Sequence, residues 1–175
     1  LLDLFASKQG TEKFRVDMRG IFAVKDILPP YLQHTYPFLD GMQGESEWLV
    51  SVVTSTAPSG GDTPVNLVIA SDLKGVTLGF PEPLYKPAGA SWPFHLNYSM
   101  SGPNRFLDLD LAGRMSYRLE LLQGPGADSA EIAASRALLR FGDGPSELPS
   151  LGLIRIEGAM PVLDLDGWVD LIVSS

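Results

Sequence analysis

Apolar and polar side chains alternate with a period of two residues over several stretches of this chain, and this alternation most restricts its fold. A period of two places every second side chain on the same face of a β-sheet. The clearest stretch has Trp92, Phe94, Leu96, Tyr98 and Met100 separated by polar residues or proline. The pattern predicts about nine strands, in residues 14–18, 47–55, 65–71, 76–80, 92–100, 107–111, 115–121, 135–141 and 154–156.

Clusters of turn-forming residues separate these stretches, as in the Ser-Gly-Pro-Asn sequence of residues 101–104. The chain has 18 glycines and 14 prolines among its 175 residues. Glycine supplies the positive φ, and proline the fixed φ, that tight turns need. Most neighbouring strands are therefore predicted to pair as antiparallel hairpins or meanders.

Only two helices are predicted, and both are short. Asp26 is placed to cap the first, and Asp164 or Asp166 the second. The apolar residues of these helices would be Ile27, Leu28 and Tyr31 in the first, and Trp168, Leu171 and Ile172 in the second. Two short helices cannot cover a sheet of nine strands. We therefore expect a mainly β fold, with a curved, largely antiparallel sheet of about nine strands that forms an open trough or half-barrel.

The length and charge of the chain narrow its possible functions. At roughly 150 residues per domain, residues 1–175 are predicted to form a single β-rich domain. Thirteen basic residues against 21 acidic ones give a net charge of −8, so nucleic acid and anionic membrane surfaces are poor partners. No stretch is long and apolar enough to cross a bilayer. Since the first residue is Leu1 and not methionine, we expect a segment of a longer protein.

The sequence has no recognisable catalytic, nucleotide-binding or metal-binding motif. The absence of cysteine excludes disulfides and thiol catalysis. The two histidines, His34 and His95, are expected at the surface, and neither a G-x-S-x-G elbow nor a phosphate-binding glycine loop occurs. Asp164, Asp166 and Asp170 lack the remaining ligands of a calcium loop. We expect no catalytic residue, no metal and no cofactor.

The recurrent apolar strand faces leave more than one interpretation open. An acyl chain of about 16 carbons loses on the order of 12 kcal/mol on entering water, so a protein that carries lipid needs an unbroken apolar surface. The closed core of a β-sandwich, however, has the same periodicity. The tryptophans Trp48, Trp92 and Trp168 suit core packing or groove lining better than an exposed sugar-binding platform. A hydrolase with a dispersed site is a third possibility.

Two neighbouring runs of residues resemble a known family. Residues 69–76 read Ile-Ala-Ser-Asp-Leu-Lys-Gly-Val, and residues 80–88 read Phe-Pro-Glu-Pro-Leu-Tyr-Lys-Pro-Ala. Together they resemble the S-D-L-x-G-V and L-P-x-P-L-x-K-x-A signature of the YhdP-type, AsmA-like proteins of Gram-negative envelopes. Further matches occur in the same order along the chain, at residues 37–41, 141–142, 148–149, 152–153 and 163–168.

The resemblance implies a large protein that is anchored in the inner membrane and extends through the periplasm as a β-sheet trough. Such proteins are thought to let phospholipid pass toward the outer membrane and to support its permeability barrier. This chain is similar to an interior, periplasmic segment. The expected partners are phospholipid acyl chains and adjacent segments of the same long chain, and the resemblance carries over no catalytic residue.

On this hypothesis, the apolar faces of the predicted strands line a path for lipid. The residues expected to bind acyl chains are Phe14, Val16, Trp48, Val50, Trp92, Phe94, Leu96, Tyr98, Leu109, Leu119 and Phe141. The alternative hypothesis is a non-catalytic structural or interaction module, in which the same side chains fill the closed core of a β-sandwich.

Overall fold

The computed structural model of the chain describes residues 3–7, 12–27, 41–55, 63–123, 132–142 and 147–173. Within these ranges the backbone forms ten strands and two helices. The strands are β1 (Asp3–Ser7), β2 (Glu12–Ala23), β3 (Met42–Ser55), β4 (Val65–Ser71), β5 (Val76–Leu78), β6 (Phe94–Ser101), β7 (Asn104–Leu111), β8 (Met115–Gln123), β9 (Ile132–Phe141) and β10 (Ile154–Gly158). The helices are α1 (Val24–Ile27) and α2 (Leu165–Val173).

Nine of these strands form one open sheet in the order β1-β2-β3-β4-β6-β7-β8-β9-β10. Each neighbouring pair is antiparallel except β9 and β10, which are parallel. β5 lies off this path and pairs with the first residues of β3. The path ends at β1 and β10 and does not close into a barrel. The prediction of a mainly β fold, with a largely antiparallel sheet of about nine strands and two short helices, is confirmed.

Two tight turns explain why β6, β7 and β8 follow one another as hairpins. Gly102 and Pro103 join β6 to β7, and Gly102 has a φ of +56°. Residues 112–114 join β7 to β8, with Gly113 at a φ of +64°. Glycine adopts this left-handed conformation without the steric cost that a Cβ atom brings. These local turns therefore set the register of three strands in the sheet.

The helices agree with the predictions in part. Asp164 Oδ1 accepts a hydrogen bond from the Gly167 N–H at 2.9 Å, which is the N-cap contact expected for α2. α1 begins at Val24 and ends at Ile27, so Asp26 lies inside its single turn and does not cap this helix. The remainder of the predicted first helix, from Leu28 onward, lies outside the described residues. In the described part of the chain, neither helix has the length and hydropathy needed to cross a bilayer.

One strand and one strand boundary differ from the sequence prediction, and three of the residues named above lie outside the described ranges. β1 was not predicted, because Asp-Leu-Phe-Ala-Ser is too short to show the alternation clearly. Trp92 precedes β6 and is not part of it. Leu28, Tyr31 and His34 lie outside the described residues.

Seven buried apolar residues of the described part of the chain form a cluster at one end of the sheet. Trp48 anchors this cluster: its Nε1–H donates a hydrogen bond to the Phe22 carbonyl oxygen at 3.2 Å. Its ring also meets Phe94 edge to face, with 5.8 Å between the ring centroids, an arrangement that aromatic pairs favour. The cluster consists of Val24, Trp48, Leu73, Val76, Leu78, Leu84 and Leu111.

A buried lysine holds the loop around β5. The Lys86 side chain is 0% exposed. Its Nζ donates hydrogen bonds to the carbonyl oxygens of Leu73 and Val76, both at 2.7 Å, and of Pro87 at 3.3 Å. An ammonium group has three N–H donors, so each has an acceptor. Burial lowers the pKa of Lys86, while the negative charge of Asp72 acts to raise it.

Ion pairs between neighbouring strands lie on the opposite face of the sheet. We call it the polar face, and it carries Glu47, His95, Asp108 and Arg118. Arg19 donates two hydrogen bonds to Glu47, at 2.8 and 2.9 Å. Arg118 pairs with Asp108 on the neighbouring strand. The hydrogen bond from Arg19 lowers the pKa of the Glu47 carboxyl. Opposite charges placed across neighbouring strands support the observed register.

We predict that Lys86→Met lowers the free energy of unfolding by about 3 kcal/mol, because three carbonyl oxygens lose a charged donor in a buried place. Urea denaturation followed by circular dichroism measures the change. Lys74→Met, at an exposed lysine of the same loop, is the control and should change stability by less than about 0.5 kcal/mol. Equal losses in the two variants would contradict the prediction.

We also predict that Arg19→Gln raises the pKa of Glu47 toward its ordinary range, as followed by NMR titration of the carboxyl carbon. Because the pKa is lowered in the folded state, the stabilisation is present above the pKa of the unfolded chain. It is lost as the pH falls through the folded-state pKa. Arg15→Gln, which removes the partner of Asp17 instead, should leave the pKa of Glu47 unchanged. No change in Arg19→Gln would refute the assignment.

Candidate functional site

The strand register arranges apolar side chains in rows that cross the sheet. Residues paired on neighbouring strands share a face, and every second residue along a strand joins it. Three consecutive rows form a surface that we call the apolar face. The first row holds Trp48, Ser71, Phe94, Leu111, Met115 and Phe141; the second holds Met18, Val50, Ile69, Leu96, Leu109, Tyr117, Leu139 and Ile156; the third holds Val16, Val52, Leu67, Tyr98, Leu107, Leu119, Ala137 and Ile154.

The register brings ten of the eleven predicted lining residues together on this side of the sheet. The first row contains Trp48, Phe94 and Phe141, the second Val50, Leu96 and Leu109, the third Val16, Tyr98 and Leu119, and Phe14 lies one row further out. Trp92, the eleventh, lies before β6 with the guanidinium of Arg114 over its ring, 4.3 Å from the centroid. This is a cation–π contact. The role of all eleven in binding lipid stays a prediction.

Burial along the apolar face is uneven. Trp48 and Leu111 in the first row are buried, whereas Leu96, Tyr98 and Leu119 in the second and third rows are only half-buried. An apolar surface that keeps contact with solvent is typical of a place where another molecule binds. The second and third rows are therefore the open part of the face.

Two segments meet over the first row, and we call them the cap: residues 72–88, which include β5, and residues 163–173, which include α2. The Glu82 carbonyl oxygen accepts hydrogen bonds from the Asp164 N–H at 3.2 Å and from the Trp168 Nε1–H at 3.0 Å. The first segment follows β4, and the second follows β10 at the end of the sheet. The cap thus joins parts of the chain that are distant in sequence and in strand order.

Beneath the cap lies a cavity of about 600 Å³. This volume falls within the roughly 300–1,000 Å³ of small-molecule pockets. Its walls are entirely apolar and come from the cap, from the apolar face and from Met42 at the start of β3. The other wall residues are Leu73, Leu78, Phe80, Leu84, Phe94, Leu109, Leu111, Met115, Leu139, Phe141, Ile156, Leu163 and Trp168.

The strands that contribute to the cavity show that the sheet and its cap wrap around it. Met42 belongs to β3 and Ile156 to β10, which are six strand spacings apart in the sheet. In a flat sheet these strands would be separated by roughly 29 Å, at ~4.8 Å per spacing. A single cavity that contacts both strands therefore requires that the sheet is curved or that the first residues of β3 fold over it. The arrangement can therefore enclose an apolar ligand on several sides.

Alternation did not identify the cap residues as part of the site. Leu73, Leu78, Phe80 and Leu84 line the cavity, but they lie in a loop and a three-residue strand. The signal that could have found three of them is the family signature, because residues 69–76 and 80–88 contain Leu73, Phe80 and Leu84, whereas Leu78 lies between these two runs. In the sequence these residues suggested turns and packing only.

The polar face brings the residue types of a catalytic triad into one row. One row brings His95, Asp110 and Ser116 side by side, around a second cavity of about 300 Å³. Asp110 is the middle residue, so His95 and Ser116 are two strand spacings apart, roughly 10 Å. A serine nucleophile needs the histidine within hydrogen-bond reach. This row therefore does not form a triad.

Metal binding has no support in the part of the chain that the structure describes. There, no group of three or more histidine, cysteine, aspartate or glutamate residues is close enough to hold an ion. His95 is exposed, as expected for a surface histidine.

We predict that Trp168→Ala loosens the cap, because the variant loses both a wall of the cavity and the hydrogen bond to Glu82. Hydrogen exchange should speed up at least tenfold in residues 81–84 and in α2, while β6 and β7 keep their protection. Val169→Ala, at an exposed neighbour in the same helix, is the control. Uniform acceleration across the sheet would mean that Trp168 supports the whole fold and not the cap alone.

Comparison with known proteins gives one result. A family model described as YhdP protein matches residues 4–175, nearly the whole chain. Searches of curated proteins and of solved structures gave no match. The matched family suggests a protein of the Gram-negative envelope with a role related to lipid transport, and it is not known as a family of enzymes. On the extent of this match, the chain belongs to the YhdP family.

Proposed function

We propose that this chain is a periplasmic segment of a longer protein anchored in the inner membrane, and that its apolar face carries the acyl chains of phospholipid between the inner and outer membranes. Through this role it would support the permeability barrier of the outer membrane. The observation that carries the proposal is the set of three apolar rows. The first row crosses six neighbouring strands with one polar residue, Ser71, and the second and third rows each cross eight.

The energetics of lipid transfer favour such a surface. Each methylene group that leaves an apolar environment for water costs ~0.8 kcal/mol, so an acyl chain needs contact along its whole length. Rows that run across the strands provide this contact without a gap. The half-buried second and third rows can accept a chain from one side, while the headgroup stays in water.

The cavity under the cap supports the same proposal. It continues the apolar face at the first row, and its walls have no charged residue. A chain end that reaches the first row would be covered by Trp168 and by the loop around β5. Carrying acyl chains in this way requires no catalytic step, no metal and no cofactor.

The partners that fit this function are phospholipid acyl chains and neighbouring segments of the same long chain. A neighbouring segment could extend the sheet along β1, which has one strand neighbour among the described residues. Such an extension would lengthen the rows of the apolar face.

The decisive experiment compares two substitutions at adjacent residues of β6. Leu96→Lys places a charge in the second row of the apolar face, whereas Asn97→Lys, the matched control, changes the polar face. Native mass spectrometry with lipid analysis of the same samples should find phospholipid bound to the chain and to Asn97→Lys. We expect at least a tenfold loss of bound lipid in Leu96→Lys, because a buried charge opposes acyl contact.

Thermal unfolding of both variants separates binding from stability. Lipid loss with an unchanged melting temperature supports the proposal. A lipid-free mass for the unsubstituted chain, with no binding of the hydrophobic dye ANS, would overturn it and favour a closed structural module. In the full-length protein, Leu119→Lys should likewise reduce transport more than it reduces stability.

A further inference from the structure

The last strand of the sheet has an exposed edge with an unusual side-chain pattern. β10 has one neighbour, β9, among the described strands. Its apolar residues are open to solvent: Ile154 is 76% exposed and Ile156 is 68% exposed. Leu151 and Leu153, just before the strand, are also exposed. An edge strand that is apolar and unprotected is a template for pairing with another strand.

The main-chain hydrogen bonds show which groups face outward. The Ala137 N–H donates to the Leu153 carbonyl oxygen at 3.1 Å, and the Ala159 N–H donates to the Phe141 carbonyl oxygen at 3.1 Å. Leu153 and Ala159 therefore direct their main-chain groups toward β9. Because consecutive residues of a strand direct these groups to opposite sides, the free edge presents those of Ile154, Ile156 and Gly158.

We propose that β10 pairs with β10 of a second copy of this chain, antiparallel and centred on Ile156. In this register the two Ile156 residues exchange main-chain hydrogen bonds. Ile154 of each copy lies opposite Gly158 of the other, so all three outward-facing residues take part.

Charge selects this register over its neighbours. With Ile156 opposite Ile156, Arg155 of each copy lies opposite Glu157 of the other, which forms two cross-strand pairs of opposite charge. A shift in one direction places Arg155 opposite Arg155, and a shift in the other places Glu157 opposite Glu157. Both shifts set like charges directly against each other, which destabilises a strand pair.

Arg155 and Glu157 both have the capacity to form these cross-strand ion pairs. Within the described residues, Arg155 makes no ion pair, whereas Glu157 pairs with Arg140 on β9. Arg155 of the second copy would approach the Glu157 carboxylate from the opposite side. The carboxylate has enough acceptor positions for both guanidinium groups.

The pairing has a consequence for the apolar face. A two-fold axis through the Ile156 pair runs perpendicular to the sheet, so the apolar faces of both copies lie on the same side. Ile154 and Ile156 belong to the third and second rows, and these rows would continue into the second copy. This inference rests on the edge of β10 and stands apart from the lipid proposal.

Sedimentation velocity tests the assembly. Over about 1 µM to 1 mM, a range that includes the weak affinity of a small interface, the chain should pass from monomer to dimer. Arg155→Glu and Glu157→Arg should each weaken the dimer roughly tenfold, because two opposite-charge pairs become like-charge pairs. The double variant should restore the dimer, since the charges are then exchanged in both copies. Glu157→Arg also loses the ion pair with Arg140 on β9, so its melting temperature is measured to check that it stays folded.

A crosslinking experiment tests the register itself, which is possible because the chain has no cysteine. Mixed Arg155→Cys and Glu157→Cys chains should form disulfide-linked dimers under mild oxidation. Arg155→Cys alone should form at least fivefold fewer, because two residues at position 155 would be diagonal neighbours roughly 7–8 Å apart.

Three results would overturn the proposal. A monomer at the highest concentration would show that β10 does not pair with a second copy and is left for another segment. Dimers insensitive to the charge variants would place the contact elsewhere. A ladder of growing oligomers would exclude a closed two-fold pair.

Discussion

The register of the strand pairs is the constraint on which the rest of the structure depends. Because the side-chain period is two, a slip by one residue would exchange the two faces of a strand. In β7 such a slip would move Leu107 and Leu109 to the polar face and bring Asp108 and Asp110 onto the apolar one. Burying carboxylates without partners is costly. The ion pair between Arg118 and Asp108 and the tight turn at Gly102 act in the same direction, so local and cross-strand forces agree.

The cap turns a sheet with one apolar side into a partly enclosed site. Its two segments depend on contacts of different kinds: Lys86 fixes the loop from inside, and Glu82 joins the loop to α2. Neither contact adds apolar surface, yet together they hold Trp168 over the first row. The result is a gradient from a covered end to open second and third rows. A site that encloses one end of a long apolar ligand while leaving the rest accessible requires such a gradient.

The sequence predicts those features that depend on local pattern. Alternation predicts the strands because it is visible within a few residues, and it also predicts that Leu96 and Leu119 lie on apolar strand faces. The contacts of the cap could not be found in this way. A lysine in a loop is usually expected to have its side chain exposed to solvent. Only the folded chain shows that Lys86 is surrounded by carbonyl oxygens. The parallel pairing of β9 and β10 was likewise hidden, because a period of two says nothing about strand direction.

The exposure of the apolar face and the exposure of the β10 edge are separate problems for a chain in water. The face can be covered only from above, by molecules that lie across the rows. The edge can be covered only in the plane of the sheet, by a strand that supplies main-chain partners. The two proposed kinds of partner would therefore not compete, because a second copy paired at Ile156 would leave the second and third rows open to acyl chains. The second copy would also add its own rows beside them, so that pairing at the edge would lengthen the surface available to a lipid.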